Sequence, residues 1–356
     1  MACGMRSTPR STGADMTHSM AHIGVLPAGA RNSITDVAGI TVGHATLAGG
    51  SVQTGVTVVR PHGGDPFVDK VPAACAVLNG FGKSVGLLQV EELGVLETPI
   101  ALTNTFSVGE VARGQIQQAV EAHPQIGRAW PTVNPLVFEC NDGYLNDLQA
   151  FAVRDLHYHA AHLAAGGAFA QGAVGAGRGM SAFGVKGGLG SASRVVTLAD
   201  GTRRTVGALV LANFGVTESL TLAGRRIGAD IARALAEDAP GPEKGSIIML
   251  LATDAPLDAR QLRRVALRAG AGLARTGSVF GHGSGDIALA FSTAYTVPHL
   301  GSRPMPAVAM THETHLDPLF QAAADSIEQA IVHALFYAET VTGRDGHTRR
   351  ALTELL

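Results

Sequence analysis

From about Arg31 the chain alternates short apolar runs with glycine-rich turns and helical stretches. GITVGHATL (39–47) and TGVTVVR (54–60) are short and rich in β-branched residues, which predicts strands. In SRVVTLADGTRRTVGALVLANFG (193–215) two apolar runs flank Asp200-Gly201, the pattern of a hairpin closed by a tight turn. IIMLLA, directly after Ser246, predicts a buried strand, and DIALAFSTAYTV (286–297) predicts another. The segment 151–172 is helical at first and breaks at Gly166-Gly167, and TLAGRRIGADIARAL (221–235) has helical spacing. Across 257–277 that spacing places Leu262, Val265, Ala266, Ala269 and Leu273 on one face. The last helix carries Leu319, Phe320, Ala323, Ile327, Ala330, Ile331 and Ala334 on one face and is expected to stop near Gly343. The succession is mixed α/β with long antiparallel segments. It lacks the regular βαβ rhythm of a doubly wound sheet or barrel.

Composition narrows the classes. The chain has 356 residues, with 27 Lys plus Arg against 29 Asp plus Glu, so its formal net charge is −2. That removes the electrostatic reason to expect nucleic acid or an anionic membrane as partner. Hydrophobic residues make up 46% and charged residues 16%, enough to bury a sizeable core and to exclude global disorder. Glycine, at 45 residues, has no collagen-like period and marks turns and close backbone approaches. No apolar run approaches the ~18 residues of a membrane span. The first twenty residues lack the apolar region of a secretory signal, so residues 1–30 read as a disordered leader, with Met16 or Met20 as alternative starts. Residues 31–356 read as one domain. Cys3, Cys75 and Cys140 are too few and too widely spaced for a disulfide framework or zinc knuckle, and the expected setting is a reduced cytoplasm.

Several glycine-rich or histidine-rich stretches fail as motifs. NGFGKSVG (79–86) has Val77 where a phosphate-binding loop needs its first glycine. VGAGRGM (174–180) has Met180 where the dinucleotide fingerprint needs its third. GHGSG (281–285) has His282 and Asp286, not glycines, two residues either side of Ser284, so it is no nucleophile elbow. His157, His159 and His162, and likewise His312 and His315 around Glu313, lack the spacing that aims two zinc ligands from one helix face. Solvated or capping roles are expected for them, and no metal or organic cofactor.

One junction has chemical potential. Gly245-Ser246 is one of six Gly-Ser dipeptides, but here a polar loop, EDAPGPEKG (237–245), runs straight into the apolar strand. A serine fixed at a strand start beside an unhindered glycine carbonyl can cleave its own chain by an N→O acyl shift. The new α-amine, with a pKa near 7.7–8.0, then serves as base for its own hydroxyl. The competing reading is a plain strand-start serine.

GSIIMLLATDAPL (245–257) resembles the start of the β-subunit in the N-terminal-nucleophile aminopeptidases of family S58, which include L-aminopeptidase D-Ala-esterase/amidases and β-peptidyl aminopeptidases. The resemblance continues in order through RNSITDVAGITVGHATL (31–47), TGVTVVRPHGG (54–64), ETPIALTNTFSVGE (97–110), ECNDGYLND (139–147), GRGMSAFGVKGGLGSASR (177–194), LANFG (211–215) and GHGSGDIALAFST (281–293). It implies a four-layer αββα sandwich and self-cleavage into residues 1–245 and 246–356. Activity would be release of an N-terminal residue from a small peptide or aminoacyl amide or ester, and assembly a homo-oligomer, a tetramer of αβ heterodimers.

By position, Ser246 matches the self-cleaving residue and nucleophile, Asn213 the oxyanion-hole amide, and Tyr144 the tyrosine near the reacting carbonyl. Ser284 and Asp286 match a polar pair that contacts the nucleophile and its amine; the family uses Asp or Glu at the acidic position, and Asp has the shorter reach. Without the family, Asn213 would cap a turn, Tyr144 would be half-buried packing, and Ser284 with Asp286 would form a side-chain turn. Glu139, just upstream of Tyr144, is our own addition as a holder of the substrate ammonium. Cys140 reads as packing. The other classes to weigh are an acyltransferase like the ornithine acetyltransferases, which use Thr where this chain has Ser, and an uncleaved binding homologue.

Overall fold

The computed structural model describes residues 20–235 and 245–356. Its principal strands are β1 (Thr41–Gly49), β2 (Val52–Arg60), β3 (Asp69–Gly80), β4 (Ile100–Asn104), β5 (Leu136–Cys140), β6 (Gly188–Thr197), β7 (Arg203–Asn213), β8 (Ser246–Thr253) and β9 (Gly285–Ser292). Its principal helices are α1 (Val108–Ala122), α2 (Asp155–Leu163), α3 (Ala259–Arg275) and α4 (Asp317–Phe336). One sheet has the order β1-β2-β4-β5, and the larger one runs β3-β9-β8-β7-β6. In the larger sheet β8 and β9 are parallel and the other pairings are antiparallel.

Side-chain alternation along each strand stacks these elements into four layers. Ile248 and Leu250 of β8 join Leu209, Leu211, Ile287 and Leu289 facing Val42, Val59, Leu102 and Phe138 of the smaller sheet. Ile247, Met249 and Leu251 point the other way, into a core with Leu262, Val265, Leu319 and Ile331 of α3 and α4. On the far side, Val56, Val58, Ala101 and Val137 pack on Val108, Val111, Tyr158 and Ala161 of α1 and α2. The result is the αββα sandwich. A strand buried on both faces needs apolar residues at every position, which explains the unbroken IIMLLA run.

Both predicted helix faces are buried as expected: Leu262, Val265, Ala266, Ala269 and Leu273 in α3, and Leu319, Phe320, Ala323, Ile327, Ala330, Ile331 and Ala334 in α4. The 193–215 hairpin forms, closed by Leu198 N–H donating to Thr202 O (2.8 Å) with Gly201 at φ +81°. Its loop thus has three residues, with glycine in the left-handed position such a loop requires.

Other segments differ from expectation. Residues 221–235 are not one helix. Thr221–Leu222 and Arg225–Arg226 form a miniature hairpin around Ala223 and Gly224, both at positive φ, and only Gly228–Ala234 is helical. Two consecutive left-handed residues make a hairpin turn and cannot continue a helix. β9 stops at Ser292, whose hydroxyl donates to Ala255 O (2.6 Å) and accepts from Ala294 N–H (3.2 Å), turning the chain before Val297–Pro298 reaches β3. α2 ends at Leu163, ahead of the glycine pair, and α4 ends at Phe336, well before Gly343.

The leader expected over 1–30 is corrected for residues 20–30. Ile23 is buried, its N–H donates to Gln329 Oε1 (2.8 Å), and its carbonyl accepts from Arg194 (2.7 Å). Val195 N–H reaches Pro27 O (2.8 Å). Residues 1–19 and most of the polar loop expected at 237–245 lie outside the described residues. Among the described residues no helix is long and apolar enough to cross a membrane.

Candidate active site

The site lies where β7, β8 and β9, the central strands of the larger sheet, meet at one end of that sheet. Ser246 opens β8, opposite Asn213 of β7 on one side and Gly285 of β9 on the other. Its side chain is buried, 5% exposed. Oγ donates to the carbonyl oxygen of Gly245 (2.8 Å) and accepts from Gly285 N–H (3.2 Å). The hydroxyl therefore sits against the peptide bond that precedes it. A Cβ on Gly285 would lie 2.8 Å from Phe81 O and 3.3 Å from Ser246 Oγ, and one on Gly245 would lie 2.8 Å from Phe214 Cα. Both glycines are there because backbone and hydroxyl approach so closely.

Asn213 is buried at the end of β7, and its side chain is gripped at both ends. Oδ1 accepts from Ser181 N–H (2.8 Å), and Nδ2 donates to Asn141 O (3.0 Å). A carboxamide nitrogen carries two hydrogens, so one such bond leaves the second available as a donor.

Ser284 and Asp286 flank Gly285, and Ser284 Oγ donates to Asp286 Oδ1 (2.6 Å). Asp286 is fully buried, and its Oδ2 has no hydrogen-bond partner among the described residues. Burial pushes its pKa up, and the bond from Ser284 pulls it part of the way back. A buried carboxylate with an open oxygen is suited to a cationic or proton-bearing partner. Asn79 staples the loop before this pair, its two Nδ2 hydrogens shared among three carbonyl oxygens within reach, Gly281 O (3.0 Å), His282 O (3.2 Å) and Ser284 O.

Glu139 lies beside this junction on β5. Its Oε1 accepts from Lys83 N–H (2.8 Å), and its Oε2 accepts from the Thr105 hydroxyl. Gly82 fits between it and β9: a Cβ there would lie 3.3 Å from Oε1 and 4.0 Å from Gly285 Cα. The carboxylate thus fastens the turn at Gly82–Lys83 to the smaller sheet. Cys140 is buried, with Sγ 3.6 Å from Leu211 O, and burial with the nearby Glu139 and Asp286 raises its pKa well above the usual thiol range. Such a thiol packs and does not attack.

Tyr144 is half-buried in the loop that supplies Asn141 O. Its ring stacks on His347 (centroids 4.6 Å apart) with Arg349 over it at 3.7 Å, and its carbonyl bonds the His347 ring (2.9 Å). The structure therefore brings Ser246, Asn213, Ser284 and Asp286 together at adjacent strand ends, with Glu139 alongside. Tyr144 shares a loop with Asn141, but the contacts of its ring are with His347 and Arg349 and not with these groups.

Sequence reasoning missed Asn141, Ser181 and Asn79, which hold these groups through backbone atoms or across long separations. A cavity of about 170 Å³ adjoins the junction, lined by Phe214, Val216, Gly245, Val279, His282 and Ser284 among others. Among the described residues no group of three or more His, Cys, Asp or Glu is arranged to hold a metal. The rejected histidines do local work: His157 accepts from Arg154 N–H (2.9 Å), and His312 caps the turn Glu313–His315.

Residues 32–349 match peptidase family S58. The chain is 39% identical to a β-peptidyl aminopeptidase of Sphingosinicella microcystinivorans, over 91% of this chain and 86% of that one. Among solved structures, the PH0078 protein of Pyrococcus horikoshii OT3 superposes with a TM-score of 0.87 at 49% identity, covering 93% of this chain and 94% of that one. The L-aminopeptidase D-Ala-esterase/amidase of Ochrobactrum anthropi, described as a prototype serine aminopeptidase and a variant of the Ntn hydrolase fold, gives 0.85 at 34% identity, covering 93% and 94%.

Proposed function

The chain belongs to peptidase family S58 with the Ntn-hydrolase type of fold, and on that premise we propose that it is a self-processing serine aminopeptidase acting through Ser246. The observation that carries this reading is the position of Ser246 Oγ, between the Gly245 carbonyl and Gly285 N–H and opposite Asn213.

In maturation, Oγ adds to the carbonyl carbon of Gly245, the Gly245–Ser246 C–N bond breaks, and the serine nitrogen takes the proton. Water then hydrolyses the ester, leaving residues 1–245 with a carboxylate and 246–356 with a free α-amine. In turnover, that amine takes the Oγ proton as Oγ adds to the carbonyl of the substrate's first residue. Asn213 Nδ2–H and the Tyr144 hydroxyl stabilise the oxyanion, the departing amine takes up the proton, and water releases the acyl group. One well-aimed oxyanion donor is worth ~3 kcal/mol.

The Ser284–Asp286 pair keeps the new amine and hydroxyl oriented, and the open Asp286 oxygen supplies negative charge for an ammonium. Glu139, already holding the neighbouring turn, adds a second buried carboxylate for the substrate's N-terminus. The cavity walls Phe214, Val216 and Val279 favour a small uncharged side chain on the residue released. The β-peptidyl relative supports extending the substrates to β-aminoacyl groups. No metal or organic cofactor enters these steps. We read the assembly as a homo-oligomer of the cleaved heterodimer, and the setting as reduced cytoplasm from the buried free thiols Cys75 and Cys140.

The test is an intact-mass spectrum of the purified protein beside Ser246→Ala. Two chains, the smaller beginning at Ser246 and both absent from the variant, support the reading; one uncleaved mass in both overturns it.

A further inference from the structure

Lys186 is a wholly buried amine side chain that the mechanism above does not use. Its Nζ donates to three carbonyl oxygens: Gly177 O (3.0 Å), Met180 O (2.8 Å) and Gly187 O (2.8 Å). Three acceptors match the three N–H bonds of an ammonium, whereas a neutral amine has two. Burial draws its pKa well down and nearby Arg178 adds to that, while Asp142 and Glu339 act in the opposite direction; the three acceptors are what favour the ammonium.

The Met180 carbonyl is one end of a peptide group whose other end is Ser181 N–H. That same N–H donates to Asn213 Oδ1 at 2.8 Å. A continuous chain therefore runs from Lys186 Nζ through the 180–181 peptide to the Asn213 carboxamide, and on through Nδ2 to Asn141 O. At the far end, Asn141 is followed by buried Asp142, which packs against the turn that carries Met180: a Cβ on Gly179 would lie 2.8 Å from Asp142 Cβ. Hydrogen bonds in series polarise one another, most effectively when a charge stands at one end. Drawing electrons toward Met180 O makes Ser181 N–H a stronger donor, which in turn makes Asn213 Nδ2–H a stronger donor.

We propose that Lys186 is a positioning residue of the oxyanion site, orienting and polarising the Asn213 carboxamide through the Met180–Ser181 peptide. The role rests on Asn213 serving as oxyanion donor, and the experiment separates the two claims. Lys186→Met, Asn213→Ala and the double variant are compared with the parent enzyme on an aminoacyl 4-nitroanilide, with kcat normalised to the self-cleaved chain by mass.

Lys186→Met is expected to lower kcat about tenfold with KM within about twofold. In the Asn213→Ala background the same change should alter kcat by less than about twofold, because the group through which it acts is gone. If Asn213→Ala leaves kcat intact, the oxyanion assignment falls. If Asn213→Ala is slow but Lys186→Met is not, or if the two losses multiply, the positioning role of Lys186 falls. Should Lys186→Met fail to accumulate, Lys186→Arg is read by the same criteria, since it keeps charge but displaces the donor from Met180 O. Failure of both to fold would overturn a role separable from stability.

Discussion

Asn213 and Ser246 are directly paired residues at the ends of the antiparallel strands β7 and β8. The donor and the nucleophile are thus fixed by the sheet ladder rather than by loops. Sites built on strands hold their geometry more tightly than sites built on loops. The third member is equally constrained, because Gly285 is paired with Ser246 on the opposite side.

Ser246→Cys retains a nucleophile capable of acyl shift, so the variant should still split at 245/246. Its turnover should differ from the parent, since the thiolate is a different attacking and leaving group. Mass spectrometry over time and a peptidase assay on the split material check this. A variant that never splits while Ser246→Ala does would contradict attack by the side chain at this position.

Gly285→Ala should damage maturation more than folding. The added methyl would lie 2.8 Å from Phe81 O and 3.3 Å from Ser246 Oγ, pressing on the backbone and the nucleophile together. Overpacking of this kind costs about 1–3 kcal/mol. The expected result is a lowered melting temperature with self-cleavage slowed at least tenfold, taking about 1.4 kcal/mol per decade. Parent-like cleavage would mean that Gly285 does not confine Ser246. Gly283→Ala, where a Cβ meets nothing within 4 Å, is the control expected to do neither.

Much of the fold was legible because its signals are local. The buried face Leu262, Val265, Ala266, Ala269 and Leu273 follows from helical spacing, and the hairpin around Asp200-Gly201 from its turn residues. The segment 221–235 misled because Ala223 takes a left-handed conformation beside Gly224, a tertiary choice that alanine's propensity opposes. The four-layer arrangement came from family resemblance, since period-two alternation cannot say which sheet a strand joins. Ser246 stood out from its loop-to-strand junction and Glu139 from its place just upstream of Tyr144, whereas Asn213, Tyr144, Ser284 and Asp286 came from the resemblance. What joins them is the register of Asn213, Ser246 and Gly285 and the backbone atoms of Asn141 and Ser181. No side-chain pattern encodes these.

Asn213→Ala should lower kcat by about 10²–10³ and leave KM nearly unchanged, the behaviour of a donor that acts in the transition state. The half-buried groups it releases, Ser181 N–H and Asn141 O, should also cost stability, up to about 1 kcal/mol each because water can partly replace the lost bonds. Steady-state kinetics and denaturant titration measure the two separately. A rise in KM at constant kcat would instead assign Asn213 to ground-state binding.

Asp286→Asn should move stability and activity in opposite directions. Burial raises the carboxyl pKa of Asp286 in the folded chain above its unfolded value, so the folded state binds this proton more tightly. The stability that proton brings is fully present below the unfolded value, near 3.9, and is lost as pH rises through the raised one. The uncharged Asn removes that loss. The stability of Asp286→Asn relative to the parent should therefore increase as pH is taken from about 4 toward 8. Its carbonyl can still accept from Ser284 Oγ, but the negative charge beside the nucleophile's amine is gone. The peptidase rate should fall about tenfold to hundredfold, the scale of a positioned proton-handling group. Urea unfolding across that pH range, with kcat/KM on the same samples, tests both halves. A relative stability that does not change with pH would mean that Asp286 is not held away from ionisation. An unchanged rate would mean that its charge does not serve Ser246.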